Sequence, residues 1–233
     1  MDGAPVGRRV FLGMLTAGAA GILWGRKAQD GLERIFAGNP VSQLLPTGGR
    51  FRYYTVTGGF PEKPAAQWRL TVDGLVDSPF SLGFDELTAM TPTSLTRDFQ
   101  CVTGWRVQDV LWRGVRLADL LDRAGARPEG TAVLFGSFDG AYTESLTMEQ
   151  ARRRDVVVAY ELEGKAINSL HGGPVRLYVA PMYGYKSIKW LETIEVTDRL
   201  IPGYWEVRGY DQHAWVGRSN GRDDAATCPP RPF

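Results

Sequence analysis

From Trp68 onward, apolar and polar residues mostly alternate with a period of two, the spacing of half-buried strands. Trp68, Leu70 and Val72 lead into Asp73-Gly74, a hairpin signal. Strand-like runs recur over 132–135, 142–146, 156–162, 175–180 and 190–196, with Asp139-Gly140 and Glu163-Gly164 as turns between some of them. The period becomes helical over 115–124, where Val115, Leu117, Leu120, Leu121 and Ala124 share one face and Gly125 stops them. Ser81 is expected to cap a short helix through Met90, with Phe84 and Leu87 on one face. Thr147-x-x-Gln150 is a capping box that opens another short helix. Strands with a few helices among them, and no regular βαβ alternation, predict a mixed, strand-rich α+β domain.

Residues 1–36 follow a different pattern. Arg8-Arg9 precedes Val10-Phe11-Leu12 and a Gly- and Ala-rich apolar stretch ending at Trp24, after which come Arg26 and Lys27. That stretch is shorter than the roughly 20 residues a spanning helix needs, and it suits the apolar region of a secretory signal. Arg-Arg-Val-Phe-Leu resembles the twin-arginine export signal, with Gly7 where Ser or Thr is usual. That pathway carries proteins already folded around a cofactor. The expectation is therefore export to the periplasm or the extracytoplasmic face of the membrane, the other reading being an amphipathic N-terminal helix. No small-x-small cleavage site follows Trp24, so membrane association through residues 8–27 stays open. The expected organisation is a leader or anchor at 1–36, a linker at 37–50, one domain at 51–217 and an irregular tail at 218–233.

Composition narrows the chemistry. The 233 residues allow one large domain or two small ones. A net charge of +1 gives no bulk field for nucleic acid. Two cysteines, Cys101 and Cys228, exclude a disulfide framework, and His171 and His213 complete no zinc-site spacing with them.

Two segments could carry a reaction. In the first, Asp98 to Arg106, a single cysteine lies between Arg97 and Arg106, cations that favour the thiolate. A thiolate is a soft ligand for a redox metal or a nucleophile, and the same residue could equally be a buried structural cysteine. The second runs from His171 to Trp190. There Arg176, Lys186 and Lys189 supply charge, Ser187 adds a hydroxyl, and Gly184 admits close backbone approach. Together they could cradle a phosphorylated cofactor, or form a solvated strand face with two lysines. The glycines match neither a dinucleotide-binding nor a P-loop pattern. A third patch, Phe51-Arg52-Tyr53-Tyr54, could wall a flat heterocycle or be an edge strand.

Taken together, these segments resemble the molybdopterin domain of the sulfite oxidase superfamily, from about 51 to 217. Cys101 in Cys-Val-Thr-Gly-Trp is similar to the family's metal-ligating cysteine loop. His171, Pro174 and Arg176 resemble its His/Asn-x-x-Pro-x-Arg element. Gly184, Lys186 and Lys189, with Ser187 and Ile188 between, resemble its pterin-phosphate element. Arg52-Tyr53-Tyr54 resembles its aromatic/Arg strand, and Gly203-Tyr204-Trp205-Glu206 with Gly209-Tyr210 its closing segment.

The resemblance implies the family's strand-rich fold and a molybdenum–molybdopterin cofactor. Cys101 would bind the metal. Arg176, Lys186, Ser187 and Lys189 would hold the pterin phosphate, with His171 against the pterin. Tyr53 or Tyr54 would lie beside the metal, and Asp139 or Ser137 against the cofactor. Arg106 would attract an anionic substrate, as an arginine does at this position in sulfite oxidases, unless it pairs with Asp98 or Asp109. The implied reaction moves an oxygen atom to or from a small substrate. Reduction of a sulfoxide or another S- or N-oxide, and sulfite-type oxidation, both remain open. Electrons would pass to or from a separate cytochrome or membrane haem protein, because the sequence has no CxxCH haem site and no iron–sulfur cysteines. With no haem-binding segment before the domain and little chain after it, the likeness is to compact bacterial members, which include the catalytic subunit of the periplasmic methionine sulfoxide reductase. Two other readings are a non-catalytic subunit of a membrane electron-transfer complex and a thiol redox protein using Cys101 and Cys228.

Overall fold

The computed structural model describes residues 51–219. The expected leader, the linker and nearly all of the tail, Cys228 included, lie outside the described residues. The chain divides into two units, Met1–Tyr54 and Thr55–Phe233. Of the first, only 51–54 are described. They have no regular structure, Phe51, Arg52 and Tyr53 being half-buried and Tyr54 exposed.

The second unit is the strand-rich α+β arrangement that the alternation predicts. Its elements are β1 (Arg69–Gly74), β2 (Phe80–Gly83), α1 (Phe84–Ala89), β3 (Thr93–Gln100), β4 (Arg106–Arg116), α2 (Leu117–Ala124), β5 (Ala132–Ser137), β6 (Thr143–Thr147), α3 (Met148–Ala151), β7 (Val156–Leu162), β8 (Lys165–Ala166), β9 (Arg176–Val179) and β10 (Leu191–Thr197). One sheet has the order β2-β1-β10-β5-β6, with β1 and β10 parallel and its other pairs antiparallel. The other has the order β3-β4-β7-β8, and β9 also pairs with β7.

One continuous core draws on both sheets and on α2. Leu70, Val72, Phe135 and Ile194 come from the first sheet, Val115, Val158 and Leu177 from the second, and Leu117, Leu120 and Leu121 from the helix. Trp68 is fully buried and still satisfied, because its indole N–H donates to the Leu191 carbonyl at 2.7 Å.

Three local readings shift. Val115 continues β4 opposite Val158, so the helix begins at Leu117, and Gly125 ends it with a left-handed φ of 66°. Ser81 belongs to β2 opposite Thr71. The helix instead opens after Gly83, whose N–H donates to the Glu86 carboxylate at 2.7 Å. Asp73-Gly74 ends β1 without making a two-residue turn, since its antiparallel partner starts only at Phe80. The Thr147/Gln150 capping box forms as its spacing predicts.

Candidate functional site

Strands β3 and β4 form a hairpin whose loop carries Cys101. The Cys101 N–H donates to the Trp105 carbonyl at 2.9 Å, and the Gly104 N–H returns to the Cys101 carbonyl at 3.1 Å. The Gln100 amide reaches the same two carbonyls, at 3.2 and 3.4 Å, fixing the loop from its base. The Cys101 Sγ is half-buried and lies 3.2 Å from the Thr103 hydroxyl. Pairing of β3 with β4 is irregular between Arg97 and Phe99, and Asp98 fills that irregularity. One of its carboxylate oxygens accepts from the Asp109 N–H at 2.9 Å, and the other is bound by Arg106. Of the two acids considered for Arg106, the structure selects Asp98.

Phe99 joins this hairpin to the second motif. Its ring stacks on Trp105, with centroids 5.6 Å apart, and lies against the turn at Gly184. A Cβ at position 184 would fall 2.4 Å from that ring, so glycine is what allows the contact. Arg176 on β9 lies over the same ring at 5.5 Å and over Trp112 at 5.4 Å. Tyr178, also on β9, stacks on Trp112 and donates from its hydroxyl to the Asp98 carbonyl at 2.7 Å. Its phenol is pushed upward, chiefly by burial.

Arg176 is only 2% exposed and ties two loops together, donating to the His171 carbonyl at 2.7 Å and the Ser187 carbonyl at 2.6 Å. Burial lowers its guanidinium to about 10. Lys189 donates to the Leu170 carbonyl at 2.9 Å, with Phe60 and Trp190 beside its ammonium. Burial and then the Arg176 charge bring Lys189 down to about 7. His171 is lowered to about 4 by burial, then by Arg176 and Lys189. Its Nδ1 lies 2.8 Å from the Asn168 amide oxygen, which assigns the proton to Nδ1. Gly172 allows this crowding, because a Cβ there would sit 2.5 Å from the Lys189 Cγ. Burial thus disfavours the charge of all three basic side chains, and Arg176 lowers Lys189 and His171 further, the setting of a site that gains from an anion.

Lys186 is placed differently from the phosphate contact expected of it. Its side chain is fully buried, and its ammonium donates to Glu144 at 2.7 Å, to the Ser145 carbonyl at 3.1 Å and to Glu206 at 2.5 Å. Those three acceptors use all its protons. Burial alone would lower Lys186, but the two carboxylates hold it above its ordinary value. Burial raises Glu144 well above the usual carboxylate range; Lys186 opposes this and Glu206 adds to it.

Ser187 and Ile188 are both buried; the Ser187 hydroxyl accepts from the Val179 N–H at 3.0 Å, and the Ile188 carbonyl accepts from the Leu177 N–H at 2.9 Å. The Asp139 loop joins the same neighbourhood through Phe138, whose N–H donates to the Trp190 carbonyl at 2.8 Å. Asp139 Oδ1 accepts from the Ser137 hydroxyl and from the Ala141 N–H, while its Oδ2 is buried without a partner. Arg52, Tyr53 and Tyr54 belong to the other unit and are described there.

The sequence-derived set therefore separates. Gly184, Ser187, Ile188, His171 and Lys189 lie on loops next to Arg176 of β9, Phe99 joins them to the Cys101 loop and Phe138 joins them to the Asp139 loop, whereas Lys186 points into the core and Arg106 toward Asp98. Sequence reasoning passed over Asn168, Phe99, Tyr178 and Glu144. Only Asn168 left a local signal, the Asn-x-x-His spacing of a cap, seen here as the His171 N–H donating to the Asn168 side chain at 3.0 Å.

These residues fit the cofactor that the resemblance implies. The basic cluster suits a phosphate, the orphaned Asp139 Oδ2 suits a pterin N–H, and the Cys101 thiol suits a soft metal.

Comparison with known proteins agrees with the geometry. Residues 57–205 match the family described as "Oxidoreductase molybdopterin binding domain". YuiH, an uncharacterized oxidoreductase of Bacillus subtilis (strain 168), is 35% identical over 155 residues, which are 66% of this chain and 78% of that protein. YedZ1 of Azospira oryzae, a putative protein-methionine-sulfoxide reductase subunit, is 32% identical over 188 residues, 81% of this chain and 68% of the relative. MsrP of Ralstonia nicotianae, a protein-methionine-sulfoxide reductase catalytic subunit, is 29% identical and is spanned over half its length. The crystal structure of the sulfane dehydrogenase SoxCD from Paracoccus pantotrophus shares the fold, with a TM-score of 0.59 and 24% identity over 67% of this chain and 46% of that one. The chain is thus an enzyme that belongs to the molybdopterin-binding oxidoreductases of the sulfite oxidase superfamily.

Proposed function

We propose that this enzyme reduces an uncharged S-oxide in preference to oxidising sulfite, drawing electrons from a separate redox partner. The observation that carries this reading is the Arg106–Asp98 pair. Arg106 is the cation five residues after the cysteine that would draw an oxyanion, and a carboxylate already binds it. The two relatives named as sulfoxide reductase subunits support the same direction.

The bound cofactor supplies a molybdenum centre able to gain or lose an oxygen atom. Cys101 is the residue proposed to hold the metal, kept in place by the Trp105 carbonyl and the Gln100 amide. Lys189, the Ile188 N–H and the Ser187 hydroxyl are proposed to meet the phosphate, with Arg176 fixing both flanking loops behind them. His171, neutral with its proton on Nδ1, and Asp139 are proposed to meet the pterin ring edges.

The test is kcat/KM for a dialkyl sulfoxide, with an artificial electron donor, against kcat/KM for sulfite with an artificial acceptor. The sulfoxide is expected to give the larger value, and a larger value for sulfite would reverse the reading. Cys101→Ser is expected to keep the fold and lose turnover; full activity would remove the thiol from the reaction. Export is proposed from Arg8-Arg9 and the apolar run after it. Replacing both arginines with lysine is expected to trap the chain in the cytoplasm, which cell fractionation would show.

A further inference from the structure

Glu206 lies in segment 203–211, whose only regular structure is the single turn Glu206–Arg208. The segment crosses the Gly184–Lys186 turn and is tied down at points besides Glu206. The Tyr204 N–H donates to the Thr143 carbonyl at 3.0 Å, and the Tyr204 ring stacks on Tyr142 at 5.5 Å. The Tyr185 hydroxyl donates to the Asp211 carbonyl at 2.7 Å, and the Tyr210 ring meets Tyr185 edge-on at 5.5 Å. These contacts land on β6, on the residue just before it or on Tyr185. A Cβ at Gly203 would come within 2.9 Å of the Glu144 Cα, so the segment lies directly on the strand that supplies the other carboxylate.

We propose that Lys186 is a positioning residue which, with Glu144 and Glu206, latches segment 203–211 onto the turn that presents Ser187, Ile188 and Lys189. The latch holds that turn in the shape an anionic cofactor group requires. This rests on the cradle assigned above to Ser187, Ile188 and Lys189. Lys186 immediately precedes Ser187, and the turn is closed by the Lys186 N–H to Tyr183 and the Ser187 N–H to Gly184. Fixing the ammonium between two strand-borne acceptors and one segment-borne acceptor therefore fixes where the next three residues begin. Direct contact between Lys186 and a phosphate would require turning the ammonium out and leaving two buried carboxyl groups bare, at heavy cost. Glu144 Oε2 and Glu206 Oε2 are buried with no partner of their own, so the cluster is closed around this one cation.

The test uses full-length protein made in a molybdenum-replete host. It compares wild type, Lys189→Met, Lys186→Met and the neutralised triple variant Glu144→Gln/Lys186→Met/Glu206→Gln. The readouts are pterin retained per chain and hydrogen exchange at the Tyr204 and Tyr210 amides. Lys189→Met is expected to lose pterin while those amides stay protected. Lys186→Met is expected to lose pterin and to exchange roughly tenfold faster or more. If that variant does not fold, the triple variant, which buries no bare charge, is expected to fold and show the same two changes. Wild-type protection in the Lys186 variants would overturn the latch, and pterin loss without faster exchange would assign Lys186 to direct contact. Faster exchange with pterin fully retained would also overturn it. A wild type that carries no pterin would instead overturn the cradle itself, and the exchange data would still decide whether 203–211 is latched.

Discussion

Lys186 and Lys189 leave one turn three positions apart and meet opposite surroundings. Lys186 enters the core between two carboxylates, which hold its ammonium charged well into alkaline conditions. Lys189 meets Arg176 and the rings of Phe60 and Trp190, and its ammonium falls to about 7. Burial acts on both in the same direction, so the difference lies in the neighbours. A buried cation with its acids beside it is complete as scaffold. A cluster of bases whose charge is disfavoured by burial and by a neighbouring guanidinium gains most when an anion arrives from outside. On the reading proposed above, the same residue type in one motif serves architecture at one end and recognition at the other.

The sharpest way to break this contrast is to remove each charge in turn. Lys186→Met leaves Glu144 and Glu206 buried without their cation and is expected to cost about 3–5 kcal/mol in denaturant unfolding of the cofactor-free protein. Lys189→Met removes a charge that its surroundings already disfavour, and is expected to leave the same protein as stable or slightly more so. Equal losses in the two variants would erase the distinction.

A second expectation concerns pH. In the unfolded chain Lys189 keeps its proton up to its ordinary value of 10.5, whereas in the cofactor-free fold it gives it up near 7. Across that window the unfolded state binds more protons, so stability rises as pH climbs from 7 toward 10.5. A bound phosphate restores the ammonium and therefore takes up a proton. Cofactor retention should weaken as pH rises above 7, by at most about tenfold per pH unit, and Lys189→Met should flatten the dependence. Titration calorimetry with inorganic pyrophosphate, in buffers of different ionisation enthalpy, would detect the uptake; zero proton uptake at pH 8 would contradict it. His171 acts at the acid end. Its folded value near 4 lies below the ordinary 6.5, so its contribution to stability is lost as pH falls through that interval.

The smallest effect is expected at the mouth of the hairpin. Arg106 and Asp98 are partly exposed, so breaking their pair should move stability by no more than about 1 kcal/mol. Asp98→Asn frees the guanidinium and should lower KM for sulfite several-fold while leaving KM for a neutral sulfoxide nearly unchanged. Steady-state kinetics with both substrates checks this, and parallel shifts for the two would show Arg106 to be remote from the substrate.

What the sequence disclosed follows the same division. Cys101, His171, Arg176 and Lys189 drew notice because each lies in a short motif of distinctive residues, although the Phe99, Trp112 and Phe60 rings that pack on Arg176 and Lys189 lie far away in the sequence. The role of Lys186 was not visible, since Glu144 lies 42 positions away and Glu206 20, and neither carries a local mark of burial beside a lysine. Arg106 was readable as a cation, yet its pairing depended on an irregularity in β3 that places Asp98 across from Asp109. The strands of the core announced themselves by alternation. The β3–β4 hairpin did not stand out, because most side chains along β3 are polar or exposed and its buried positions are few.

The most direct test of the basic cluster as a cofactor cradle is the molybdenum and pterin content of the purified wild-type chain from a cofactor-competent host. Elemental mass spectrometry and pterin fluorescence would be read on the same sample. Near-stoichiometric amounts of both are the expected result. Folded protein holding neither would contradict the assignment of Lys189, Arg176 and His171 to an anionic cofactor.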